Sequence, residues 1–232
     1  MRFRTFSAAL LVPALALAAC DSDNSTGLSG TSNNATVQFI NASNTSLDIA
    51  TNGAVATGGG ALSYGTASNC MSVDAANSGL TVRATGTSTP LTGFTPTFTA
   101  GGDYTVVAYP GAAGAGQFVT VSNAFTPATG QAGLRVVNVA AAGSNYDVYV
   151  TAPGAALTTS NVNNVGVGTG SSYFNVPAGT PQEIRVTNAG SQTLVLTFGA
   201  SNTFIAGKKS TLVITAPAPG TTSPRGFILA GC

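Results

Sequence analysis

The sequence predicts an all-β protein: two tandem β-sandwich domains of immunoglobulin-like or transthyretin-like type, following a signal peptide and a flexible tether. Two observations predict this fold. Apolar residues recur with period two in short runs bounded by Gly, Asn, Pro and Ser clusters, and the second half of the chain repeats the first. No window beyond the first twenty residues shows helical periodicity, and each repeat is long enough for its own core.

The leader comes first. Met1-Arg2-Phe3-Arg4 is a short basic head, and Phe6 through Ala19 is an apolar run too short to span a bilayer. Its end, Leu17-Ala18-Ala19-Cys20, resembles the lipobox of bacterial lipoproteins. That resemblance implies cleavage between Ala19 and Cys20, residues 1–19 as the signal peptide, and acylation of the Cys20 thiol. Two or more acyl chains hold a protein at a membrane where one does not, each buried methylene adding about 0.8 kcal/mol. Residues 20–34, beginning Cys20-Asp21-Ser22-Asp23, carry almost no apolar side chains and read as a flexible tether.

The repeats follow, at 35–126 and 131–232. Val37-Gln38-Phe39-Ile40-Asn41-Ala42 matches Leu134-Arg135-Val136-Val137-Asn138-Val139, and Leu47-Asp48-Ile49 matches Tyr146-Asp147-Val148. Leu62 through Thr66 matches Val165 through Thr169, Val82-Arg83 matches Ile184-Arg185, and Thr99 through Val107 matches Ile205 through Val213. Within them Tyr146, Val148 and Val150 alternate with Asp147 and Tyr149, and Leu212 and Ile214 with Thr211 and Val213. Such β-branched alternation reads as short antiparallel strands, six or seven to a repeat.

The order of these segments resembles the domain of unknown function 4397 family. The second repeat carries the opening strand Leu134–Val139, then Asp147-Val148-Tyr149-Val150, Val176-Pro177-Ala178-Gly179 and Ala206-Gly207. The first keeps the opening strand, Asp48 and Ala100-Gly101, with Val73-Asp74-Ala75-Ala76 in place of the Pro-Gly turn. The resemblance implies tandem sandwiches in the cell envelope and brings no activity with it.

Composition narrows the chemistry. The chain has no His and no Trp, which removes the commonest general base and transition-metal ligand, so no metal or other cofactor is expected. Charged residues are 6% against a typical quarter, and loss of Arg2 and Arg4 with the leader leaves six basic and seven acidic side chains. So sparse a set of cations cannot form a nucleic-acid patch. Asp48 and Asp147 occupy matched positions; they could bind cations or transfer protons, or accept hydrogen bonds from neighbouring loops. Arg83 and Arg185 stand as their candidate partners. Gly58-Gly59-Gly60 lacks the Lys and helix of a phosphate cradle and reads as a loop. Among the tyrosines, Tyr149 is out of phase with the core positions and is the candidate for a ligand-facing, sugar-stacking residue.

Setting Cys20 aside leaves Cys70 and Cys232, an even pair in an exported chain. They read as a disulfide from the first repeat to the end of the second, with free thiols or intermolecular pairing as alternatives. The expected function is that of a non-catalytic lipoprotein, lipid-anchored with its domains in the periplasm or at the cell surface. It would act as a structural or protein-interaction module. Glycan binding is the second reading, and an envelope hydrolase the third.

Overall fold

The computed structural model describes residues 33–232 apart from 77–78, 112–114 and 141–142. Ala19 and Cys20 lie outside the described residues. Sixteen strands and no helix occur among them.

The first repeat contributes β1 (Asn34–Asn41), β2 (Leu47–Thr51), β3 (Ala54–Val55), β4 (Met71–Asp74), β5 (Leu80–Ala84), β6 (Asp103–Pro110) and β7 (Gly116–Ser122). They form one sheet ordered β4-β1-β6-β7 and a second ordered β3-β2-β5. The second repeat contributes β8 (Gln131–Val139), β9 (Tyr146–Thr151), β10 (Val162–Val165), β11 (Thr169–Gly170), β12 (Phe174–Pro177), β13 (Pro181–Asn188), β14 (Leu194–Thr203), β15 (Lys209–Thr215) and β16 (Arg225–Ala230). Here the sheets are β11-β8-β15-β16, with β12 also on β8, and β10-β9-β13-β14. In both repeats the first strand runs parallel to the penultimate one, β1 with β6 and β8 with β15.

Alternation builds two of the cores. Val37 and Phe39 of β1 face Ile49 and Val82 of the opposing sheet, while Leu134 and Val136 of β8 face Val148 and Ile184. The intervening positions build a third. Ile40, Val107 and Val119 of the first repeat pack on Val137, Val139 and Val213 of the second. Sheets β4-β1-β6-β7 and β11-β8-β15-β16 are thus buried on both faces, so the four sheets stack in layers. The described residues accordingly cluster as one compact unit. Burial on both faces is why β6 and β15 read as continuous apolar runs, Val106-Val107 and Leu212-Val213-Ile214.

The repeats differ at one strand. In the second, β14 pairs along β13. At the same place the first has Pro90, Gly93 and Pro96 and forms no strand; an isolated bridge joins Arg83 to Pro90, and Leu91 N–H bonds Val82 O. Proline donates no ladder hydrogen bond, so this stretch cannot extend the sheet.

Candidate functional site: the seams between the repeats

Matched polar residues hold each repeat's loops. Asp48 is 6% exposed, and its Oδ1 accepts the N–H of Ala61 at 2.8 Å and the hydroxyl of Thr85 at 3.1 Å; its Oδ2 accepts the N–H of Gly86 at 3.3 Å. Asp147 does the same with the N–H groups of Asn164 at 2.7 Å and Gly190 at 2.8 Å. Ala61 and Asn164 both sit at positive φ, 49° and 51°, so each carboxylate secures a strained turn at the same place. The Ala61 N–H holds the Asp48 carboxyl below its ordinary range; burial opposes this, and Gly86, Thr85 and the charge of Arg83 add to it. Of the roles open to this pair, the geometry is that of hydrogen-bond acceptors for loops.

The arginines do not pair with these carboxylates. Arg83 lies across from Asp48 in register but donates to Gly53 O at 3.2 Å. Arg185 lies across from Tyr149, and it donates to Thr151 Oγ1 and Ala155 O and faces Glu183 at 3.7 Å. Because Gly86 and Gly190 bind the matched aspartates, Arg83 corresponds to Thr187. The sequence match of Arg83 with Arg185 is two residues out of register, a slip that alternation conceals because it preserves the face.

The polar groups that matter most lie where the repeats meet. Gln38 and Arg135, matched in sequence, both point into the third core, and each reaches across it. Gln38 Nε2 donates to Ala230 O at 3.0 Å, and Arg135 Nη1 donates to Ser122 O at 2.9 Å. Arg135 is 1% exposed; its Nε donates to Thr211 Oγ1 at 3.0 Å and its Nη2 to Asn123 Oδ1 at 2.6 Å. Asn123 in turn donates to Asp103 Oδ1 at 2.7 Å, and Lys209 Nζ reaches both Asp103 Oδ2 and Asn123 O at 3.0 Å. Burial pushes the Arg135 guanidinium down to about 10, against the opposing influence of Tyr173 and Asp103.

Each hub has a neighbour in the residue that precedes the adjoining strand, β4 or β12, and here the repeats diverge. Beside Gln38 stands Cys70, joined by a disulfide to Cys232 with a Cα–Cα distance of 5.8 Å. Beside Arg135, in the equivalent place, stands Tyr173. The guanidinium carbon lies 4.6 Å from the Tyr173 ring centroid, and Phe125 stacks on that ring at 5.3 Å. Gly133 leaves room for this stack, since a Cβ there would meet the Phe125 ring at 2.9 Å. Burial raises the Tyr173 hydroxyl, with Arg135 acting against it. At the far end of the contact, Tyr64 meets Phe227 edge-on at 5.4 Å and shares a 2.8 Å hydrogen bond with Thr215.

The tyrosine singled out for a sugar face is corrected. Tyr149 is 6% exposed, on a face where Arg185 holds Ala155 and Gln192 holds Leu157 of the following segment. A ring so covered offers no stacking surface. Missed by sequence reasoning were Arg135 as a hub, Asn123 and the Phe125–Tyr173 stack. The signal was there for Arg135, a charge inside the apolar run Leu134–Val139 and in phase with Val137.

Among the described residues, the acids are committed to structure. Asp74 accepts from Asn33 and Ala76, Glu183 from Gly154, and Asp103 is paired with Lys209. The matched Ser68 and Ser171 hydroxyls accept the N–H groups of Phe39 and Val136 and donate to the O of Asn69 and Ser172. Among the described residues no three of His, Cys, Asp or Glu gather as a metal site.

Residues 35–149 match the family described as Domain of unknown function (DUF4397), which supports that family for the chain. The matched stretch covers the first repeat and runs to Tyr149, two strands into the second, whereas the sequence motifs placed more weight on the second repeat. No curated protein matches the chain.

Proposed function

We propose that this chain, with residues 35–149 matching that family, is a membrane-anchored envelope lipoprotein that acts as a non-catalytic structural or protein-interaction module. In this reading the chain is cut after Ala19, Cys20 is acylated, and the sandwiches stand in the periplasm or at the cell surface. The observation that carries it is where the polar side chains are used: Asp48, Asp147, Asp103, Arg135 and Lys209 all bind loops or the other repeat. A body braced in this way presents fixed loops and sheet edges to a partner. Crosslinking in living cells, followed by mass spectrometry of the captured chain, tests it. Recurrent capture of one envelope component is expected; recovery of background proteins alone, or turnover of an envelope polymer by the purified chain, overturns it.

Glycan binding is a second reading with a specific location. A groove of about 430 Å³ beside the Phe125–Tyr173 stack is lined by the hydroxyl-bearing Thr120, Ser122, Ser171 and Ser172. Aromatic rings beside hydroxyls suit a neutral sugar. Binding on a glycan array that is lost in Phe125→Ala would favour this reading over the first, and an array without signal removes it.

A further inference from the structure

The turn that precedes β15 differs from its counterpart before β6 in a way that the fold does not require. In the first repeat the turn is Thr99-Ala100-Gly101-Gly102, closed by the bond from Gly102 N–H to Thr99 O at 2.9 Å, with Gly101 at φ 74°. In the second it is Ile205-Ala206-Gly207-Lys208, closed by Lys208 N–H to Ile205 O at 3.0 Å, with Gly207 also at φ 74°. Thr and Gly serve the first turn, so neither Ile205 nor Lys208 is there to make the backbone bend. Yet Ile205 is 69% exposed, the most exposed large hydrophobic among the described residues. Lys208 is exposed too and makes no ion pair among them.

This turn lies at the end of the molecule where β1 begins. Gly101 N–H bonds Asn34 O, Thr36 N–H bonds Gly102 O, and Lys209 reaches Asp103. The hairpin of β2 and β3, which carries the half-exposed Val55, closes at the same end, since Asn52 N–H bonds Gly79 O and Ala75 N–H bonds Asn33 O. The chain length from Cys20 to Asn34 spans at most about 50 Å even when fully extended. An acylated Cys20 would therefore keep this end near the lipid, at a high effective concentration.

We propose that the Ile205–Lys208 turn is a membrane-contact element, Ile205 entering the boundary of the acyl chains and Lys208 meeting lipid phosphate. This rests on the lipoprotein reading above. The absence of Trp from the chain provides the test, because a single introduced indole reports its own position. The acylated Ile205→Trp protein is reconstituted into phosphatidylethanolamine–phosphatidylglycerol vesicles containing brominated acyl chains. Leu194→Trp serves as the reference, because Leu194 is 51% exposed at the opposite end of β14. In chains that float with the vesicles, fluorescence quenching in the Ile205→Trp protein at least about two-fold above that in Leu194→Trp is expected for a residue in the interface. Flotation with equal quenching in the two variants overturns the membrane contact and leaves the anchor standing. Failure of the acylated wild-type chain to float overturns both.

Discussion

The two seams of this molecule occupy equivalent places and are closed by different chemistry. Beside Gln38 the first repeat places Cys70, whose bond to Cys232 is covalent and needs an oxidising compartment. Beside Arg135 the second repeat places Tyr173, and the closure is a guanidinium, a stacked pair of rings and the carbonyl of Ser122. The comparison teaches that the backbone arrangement, with matched faces of β1 and β8 sharing one core, sets the contact. The clamp at each edge is a separate choice of side chain. Such a contact is isologous in character, each repeat offering the other the same patch.

Breaking the Arg135 seam should cost most. Arg135→Ala strips the donors from Ser122 O, Asn123 Oδ1 and Thr211 and leaves a void in a buried position. A loss of about 3–5 kcal/mol in denaturant unfolding is expected; a loss below about 1 kcal/mol would mean that the aromatic stack alone holds the seam. Opening the other seam with Cys70→Ser and Cys232→Ser together should cost about 2–4 kcal/mol. Unchanged midpoints under oxidising conditions would count against the brace.

Asp48→Ala and Asp147→Ala sharpen the comparison within the repeats. Each leaves two backbone donors without their acceptor, and each should cost about 1–3 kcal/mol in calorimetry. For Asp48 the folded pKa is depressed, so its contribution is complete above the ordinary aspartate range and is lost as pH falls through the lowered value. The stability gap between wild type and Asp48→Asn should therefore narrow as pH falls below about 4; a gap independent of pH contradicts this. The smallest effect is a gain. Ala61→Gly relieves a left-handed residue at φ 49° and should stabilise by about 1 kcal/mol, with no such gain expected from the same change at a residue of negative φ.

Much of this was legible in the sequence. Period-two alternation and turn clusters identify the strands, and matched Asp48 and Asp147 identify the acceptors of the loops. What alternation cannot show is whether the outer face of a sheet meets water or another sheet. Val107, Val137 and Val213 stand at outward positions and are buried because the other repeat covers them. Tyr149 misled for a related reason, since its outer face is covered by its own following segment. The register of Arg83 was misjudged because a slip of two residues leaves the hydrophobic pattern intact. The prolines at 90 and 96, where the first repeat forgoes the counterpart of β14, were a signal that the sequence reading left unused.

The central claim is that the shared core makes the repeats one folding unit, with the disulfide an added brace. Urea unfolding of the Cys70→Ser, Cys232→Ser chain, read by hydrogen exchange in peptides from β1–β2 and β8–β9, tests it directly. Both sets of peptides should lose protection at a single shared midpoint. Two separate midpoints would contradict the claim and show that the shared core does not couple the unfolding of the repeats once the disulfide is gone.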